Sequence, residues 1–425
     1  MPITSTDKDI TSIPSEIREQ GGKPEQGFGF TELMGKRHRQ EDTLAWSEFN
    51  PEALSGLTPE QIGQRLWTAH RQINAEIINK KELDHAGSTA VTTVIKNNFL
   101  ITALLADAAA FVAIYNENAE VISATRLNRR THTPNLERER IIEAGGCVLS
   151  GRVFGSLAVA RALGDALYAP SVIADSDISI ADLSNIPPGY SVQLISSCDG
   201  FTDGAKAEEK AEDRKIDETP QEKQGREKQV QEQYLMNALK AFNNGKPKLA
   251  SEMSLSEHLA EWAIGKGSAD NVSVLIQTVK ESGKPACFNG IAAIYDGHGG
   301  QQVAAFAADN IRATLEGLFK LTEEEYQILE HSAVSQKDCF LRDNASIPVL
   351  DLNTIIKKPE PASNPAPALE KIAAPHSPGF FTNTNGSPQK EKGAPRRQLK
   401  RTQSVLDLSD ILEGENLQEG KRVKF

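Results

Sequence analysis

The sequence predicts an α+β fold, with two packed antiparallel β-sheets (a β-sandwich) flanked by α-helices. Three observations carry this expectation. Short apolar runs rich in β-branched residues outnumber the helical patterns, and they come in pairs joined by turn residues, as hairpins do. Two longer segments repeat their apolar residues at helical spacing, and a third, shorter helix ends at a Gly-Gly stop. Hydrophobic residues make up 39% of the 425, which is enough for a sizeable core.

The elements follow in order. Thr43–Trp46 reads as a strand. Thr58 is placed to cap a helix, with Pro59 at its first position and Gln61 closing a capping box. Ile62, Leu66, Ala69, Ile73 and Ile77 then form one apolar face. Ala90–Lys96 and Phe99–Ala106 flank Asn97-Asn98 and read as a hairpin. Ala110–Tyr115 and Glu120–Thr125 flank Asn116–Ala119 and read as the next. Asn135 opens a shorter helix that stops at Gly145-Gly146. Val192–Ser196, Val272–Val279 and Gly290–Tyr295 read as buried strands. Val303, Phe306, Ala307, Ile311, Leu315 and Leu318 mark a third helix.

Composition divides the chain. Residues 1–26 are a polar extension without an apolar leader core, and 27–337 are expected to form one domain. Within it, 206–233 is an insertion in which 16 of 28 residues are charged in mixed sign, expected to be solvated and helical near its end. Residues 338–425 form a largely disordered tail: its Pro-rich stretch from Pro359 cannot bury enough apolar surface to offset ordering. A short helix at Ser404–Leu412 is the exception expected there.

Net charge is −11 overall, and the tail from Pro359 carries +2, which leaves −13 on the rest. That balance argues against a nucleic-acid partner and against a nuclease. No apolar run is long enough to span a membrane. Four scattered cysteines (Cys147, Cys198, Cys287 and Cys339) suit reduced thiols in a cytoplasmic protein.

Four acidic positions sit where a predicted strand meets a turn: Glu41-Asp42, Asp199-Gly200, Asp270-Asn271 and Asp296-Gly297. At one edge of a sandwich such carboxylates would repel one another unless cations neutralise them, and hard oxygen ligands suit Mg²⁺ or Mn²⁺. Two such ions can polarise a phosphoryl group and activate a water. The competing reading is that Asp-Gly pairs are ordinary turn formers.

The residues in these segments resemble the metal-dependent protein phosphatases of type 2C. Gly35-Lys-Arg37-His-Arg-Gln-Glu41-Asp42 is similar to that family's opening motif, and Asp296-Gly-His298-Gly-Gly300 is identical to its metal-bridging motif. Gly87-Ser-Thr-Ala90, Glu139–Gly146, Arg152–Asp165, Ser197-Cys-Asp199-Gly and Gly267-Ser-Ala-Asp270-Asn271 resemble its other blocks. The order differs. In the family the Asp-Gly-His-Gly-Gly strand and its helix directly follow the Glu-Asp motif; here they follow the Asp270 strand. One strand-plus-helix unit is therefore expected to have moved to the end of the domain and to refill a central slot in its sheet. Ala106-Asp107-Ala-Ala and Thr131-His132-Thr133-Pro134 also depart from the family pattern.

The resemblance implies a protein serine/threonine phosphatase holding two Mn²⁺ or Mg²⁺ ions, with a weaker third. It implies Asp296 as the bridging ligand with the Gly297 carbonyl, Asp199 and Asp270 on one ion, and Glu41 and Asp42 on the other. Asp165 matches a third-ion position. Arg37 would hold the substrate phosphate through its planar fork. His298 would protonate the leaving alkoxide, after in-line attack by a metal-activated water. His132 reads as a loop residue and Cys198 as buried packing, since no Arg lies where a cysteine phosphatase loop would need one. The alternative is a pseudophosphatase, a phosphoprotein- or partner-binding module that keeps the fold without hydrolysis.

In the tail, Arg396–Arg401 is a basic cluster of the nuclear-localisation kind, and Ser404 follows it as a basophilic kinase site would. Arg422-Val-Lys-Phe425 is similar to a docking motif for type 1 protein phosphatase. The acidic run Glu413, Glu415, Glu419 before it resembles an export signal.

Overall fold

The computed structural model describes residues 18–50, 52–128, 130–207, 209, 218–243, 251–284, 288–334 and 349–351. All of them lie in the unit Met1–Pro361. The tail motifs Arg396–Arg401, Ser404–Leu412 and Arg422–Phe425 lie outside the described residues.

Two sheets face each other. The first contains β1 (Arg18–Lys23), β2 (Phe28–Leu33), β6 (Ala109–Tyr115), β7 (Val121–Arg126), β9 (Ser191–Ser197) and β10 (Val272–Lys280). Its order is β1-β2-β10-β9-β6-β7, with every neighbour antiparallel. The second contains β3 (Asp42–Glu48), β4 (Ala90–Lys96), β5 (Phe99–Leu105), β8 (Asp177–Asp182) and β11 (Gly290–His298). Its order is β3-β11-β4-β5-β8, antiparallel throughout, and Val349–Asp351 adds a short parallel edge beside β8.

Alternation sets the layers. Val91, Ile95, Leu100 and Leu104 point inward and meet Val112, Ile114, Val192, Leu194 and Leu275 of the first sheet. Their neighbours Ala90, Val94, Ile101 and Ala103 point the other way and meet α1 (Pro59–Ile78) and α6 (Gln302–Phe319). On the far side of the first sheet, Phe111, Ile195 and Ile276 meet α4 (Pro220–Asn243) and α5 (Glu252–Gly265). Because helices cover both outer faces, the central strands are apolar on both sides, which explains their near-continuous hydrophobic runs.

Most sequence-derived boundaries agree with the structure to within a residue or two. The Thr58 box forms as expected: Thr58 Oγ1 accepts from the Gln61 N–H at 3.2 Å, and Gln61 Oε1 accepts from the Thr58 N–H at 2.9 Å. Two expectations need correction, the domain bounds and the start of the Asn135 helix. β1 and Val349–Asp351 lie outside the expected 27–337 domain yet hydrogen-bond into the sheets. The described residues of the 206–233 insertion are exposed or half-buried and helical toward its end, as expected, and α4 buries Tyr234, Leu235, Ala238 and Leu239 only beyond it. The helix expected from Asn135 begins later, as α2 (Arg138–Glu143). No helix among the described residues is long and apolar enough to cross a membrane.

His70 joins the layers next to β11. It is fully buried on α1, its Nε2 lies 3.0 Å from Thr92 Oγ1, and Thr92 is 3.2 Å from the Tyr295 hydroxyl. Burial pulls its pKa down to about 4. The folded state therefore holds a neutral ring, and the unfolded chain takes up the proton first as pH falls below the ordinary imidazole value. Stability from this site is present at pH 7 and is lost as pH drops toward 4, by about 2 kcal/mol at pH 5. In urea titrations between pH 7 and 5, His70→Gln is expected to lose correspondingly less stability than the wild type.

Candidate metal centre

The centre is assembled by strand register. Asp42 opens β3 and Asp296 lies near the end of β11, and they are direct cross-strand partners. Asp199 follows β9 as the first residue of α3 (Asp199–Asp203), and Asp270 precedes β10 by two residues. β9 and β10 are paired in the opposite sheet, so the two sheets bring four aspartates to one edge. Ligand atoms of Asp42, Cys198 and Asp296 all lie within 4.8 Å of one another, and Asp199 and Asp296 are within hydrogen-bond reach.

The electrostatics of this edge are unfavourable without cations. Burial, with smaller opposing contributions from hydrogen bonds, raises Asp42 to about 6. Burial and then the charges of Asp42, Asp199 and Asp107 push Asp296 well up. Burial, Asp107, Asp203 and Asp270 do the same to Asp199. Asp42 Oδ2 accepts from Ser273 Oγ at 2.6 Å, while among the described residues its buried Oδ1 has no hydrogen-bond partner. Oxygen donors crowded this way, one of them orphaned, fit divalent cations: like charges in contact do not both ionise unless a counter-charge is present.

Cys198 is part of the cluster geometrically but not as a nucleophile. It is fully buried, its Sγ accepts from Ser273 N at 3.1 Å and lies 3.4 Å from the Asn271 carbonyl. Burial and then Asp42, Asp296 and Asp199 push its pKa well up, so it stays a thiol.

Arg37 sits on the loop between β2 and β3, more than half exposed, with Nη2 2.5 Å from Asp270 Oδ2. Two devices shape that loop. Gly35 has φ +63°, and a Cβ there would strike the Asp270 carbonyl oxygen. Asn271 donates through Nδ2 to the Met34 and Arg39 carbonyls, both at 2.9 Å, and accepts from the Glu41 N–H at 3.0 Å. One buried amide thus ties both ends of the Arg37 loop to β10.

His298 Nε2 lies 2.8 Å from Asp165 Oδ2, beside Gly87, whose missing side chain leaves room for both groups. Burial lowers the imidazole pKa, but Asp165, Asp107 and Glu41 outweigh it, and the net shift is upward. Asp165 is therefore engaged by His298. The carboxylates that act most strongly on Asp199 are Asp107 and Asp203, which sequence reading did not single out. Asp107 was visible as the surviving acid of Ala106-Asp107-Ala-Ala. Asp203, one helical turn after Asp199, carried no signal of its own, and Lys206 Nζ pairs with it at 2.5 Å.

His132 is more than a loop residue. It is buried, its Nδ1 accepts from the Ala106 N–H at 3.0 Å, and its Nε2 lies 3.3 Å from Asp177. Arg130, Arg161, Glu137 and Arg140 extend this into an ion-pair network that holds the turn carrying Asp107.

Residues 36–272, more than half of the chain, match the family Protein phosphatase 2C. The chain belongs to that family. The match includes Glu41, Asp42, Asp165, Asp199 and Asp270 and stops before β11. Among curated proteins, the chain is similar to mouse protein phosphatase 1E, 26% identical over 231 residues, covering 53% of this chain and 26% of that protein. It is also similar to mouse integrin-linked kinase-associated serine/threonine phosphatase 2C, 33% identical over 198 residues, covering 45% and 44%. It thus spans between about a quarter and under half of these relatives' lengths. Among solved structures it is similar to a C. elegans sex determining protein (TM-score 0.41, 21% identity, 66% of this chain and 67% of that one). A serine-threonine phosphatase 2C from Toxoplasma gondii is also similar (TM-score 0.39, 18% identity, 62% and 99%).

Asn271→Ala removes three hydrogen bonds and leaves buried backbone groups unpaired. It is expected to cost on the order of 2–3 kcal/mol by urea denaturation. Hydrogen exchange should show the Glu41 amide losing protection while strand amides of β4 and β5 keep theirs.

Proposed function

We propose that this chain is a metal-dependent protein serine/threonine phosphatase, acting on phosphoserine or phosphothreonine. The observation that carries the reading is the register-matched pair Asp42 and Asp296, gathered with Asp199 and Asp270 beside Arg37, in a chain of the protein phosphatase 2C family. The residues that would hold two Mn²⁺ or Mg²⁺ ions are Asp296 and the Gly297 carbonyl, Asp199 and Asp270, and Glu41 with Asp42. When bound, the ions supply charge neutralisation at the phosphoryl oxygens and an activated water.

The chain's own residues do the rest. Arg37 offers a planar fork to two phosphate oxygens, and Asp270 holds that fork at the rim of the cluster. His298 donates a proton to the seryl or threonyl oxygen as the P–O bond breaks. Asp165 orients the ring and favours its protonated form before transfer. A third, weaker cation site is better supplied by Asp199 with Asp107 and Asp203 than with Asp165, because His298 already engages Asp165. There a cation competes with the Lys206 ammonium for Asp203.

We further propose that the strand order is a rearrangement within the family, with the Asp296 strand and its helix moved to the end of the domain. Two facts support this. The family match ends at residue 272, and β11, entering 18 residues later, lies between β3 and β4. Partners beyond phosphoprotein substrates, including type 1 phosphatase docking through Arg422–Phe425, stay with the tail.

The test is hydrolysis of a phosphothreonine peptide with Mn²⁺. Turnover should vanish with EDTA, and Asp296→Asn should lower kcat by about 100-fold or more. Arg37→Lys should act mainly through KM, raising it about tenfold. A folded wild type that binds the phosphopeptide with Mn²⁺ but does not turn it over would support the pseudophosphatase instead.

A further inference from the structure

A cavity of about 690 Å³ opens beside the aspartate cluster, and its charge is not explained by the residues that hold the metal centre. Glu19 on β1 and Glu32 on β2 are direct cross-strand partners, so their carboxylates share one face of the sheet. Like charges placed directly opposite destabilise a strand pair. Across the next ladder Glu32 faces Ser273, whose hydroxyl is committed to Asp42. Glu32 is only 8% exposed, and among the described residues it has no hydrogen-bond or ion-pair partner. Asp42, 2% exposed with its Oδ1 orphaned, lines the same cavity, as does Glu41. Among the described residues, the only arginine on the lining is Arg39, exposed like its neighbour His38.

We propose that this cavity is a substrate subsite that takes a lysine or arginine side chain flanking the phosphorylated residue. The inference rests on the phosphatase reading above and extends it to the class of sequence preferred. Three features point to a cationic side chain and not to a bare ion. The space is many times the volume of one ion. Its walls include Phe30 and Leu44, half-buried apolar surfaces suited to a methylene stem. Glu32 and the exposed Glu19 line the same cavity and would pair with an ammonium or guanidinium head. Position matters as well: the cavity shares Glu41 and Asp42 with the metal centre, so a residue seated in it lies close in sequence to one whose phosphate meets Arg37.

The experiment uses the full chain with Mn²⁺ and a set of phosphothreonine peptides, neutral except for one arginine stepped through the four positions on either side. At one or two positions kcat/KM should rise about tenfold over the neutral peptide, mostly through KM. With Glu32→Gln that ratio should fall to within about twofold of unity. Glu19→Lys, at an exposed edge position where misfolding is not a concern, should abolish or reverse it. Reading a ratio between peptides cancels any change in total activity. The proposal is overturned if the wild type hydrolyses all peptides equally, or if the preference survives both variants. It is also overturned if Glu32→Gln removes one bound Mn²⁺ in a calorimetric titration and leaves peptide preference unchanged. If no peptide is hydrolysed, the failure belongs to the phosphatase reading. Fluorescence anisotropy with the same labelled peptides then decides the subsite: tighter arginine-peptide binding by wild type than by Glu32→Gln supports it, and equal binding refutes it.

Discussion

The structure depends on one constraint: several carboxylates are held in a buried edge where they repel one another. Asp42 and Asp296 face each other across β3 and β11, and Asp199 and Asp270 close in from the opposite sheet. Burial and mutual repulsion raise the pKa values of three of the four. Such an arrangement persists only because the apolar layers on both sides of each sheet are large and continuous. The core, in this sense, sustains a site that is electrostatically unfavourable until positive charge is supplied.

Around that constraint the remaining parts are positioning devices. Asn271 ties down the loop that carries Arg37, and Asp270 catches the guanidinium. Asp165 does the same for His298 from the other side, in space left open by Gly87. His132 and its ion-pair network hold the turn that presents Asp107. Each device couples a side chain of the candidate site to a strand end, where backbone hydrogen bonding limits movement to what the ladder allows.

Chain order is not what places these groups. β11 enters the chain after every other long strand, yet it pairs with β3 on one side and β4 on the other. Its residues Ile291 and Ala293 face the α1 and α6 layer, while Ala292 and Ile294 face the opposite sheet. Shifting this strand by one residue would turn both sets the wrong way, so burial alone sets its register strongly. A linker then has only to be long enough, and the segment between β10 and β11 needs no further property.

The amino-acid sequence by itself determined many of the elements: the capping box at Thr58, the two hairpins, the two long helical faces and the acidic strand ends were legible because each rests on local chemistry or short-range periodicity. It also showed the acidic strand ends from which the candidate metal centre is built, since Asp-Gly pairs at strand ends are local features. The tertiary structure alone decided which charges meet. That Asp165 belongs with His298, that Asp107 and Asp203 surround Asp199, that Asn271 clamps a distant loop and that Glu19 faces Glu32 all depend on strand pairing between residues far apart in the chain. Even the edge strands, β1 and Val349–Asp351, were hidden for this reason. They are too polar or too short to announce themselves, and only the open ladder of an existing sheet makes strands of them.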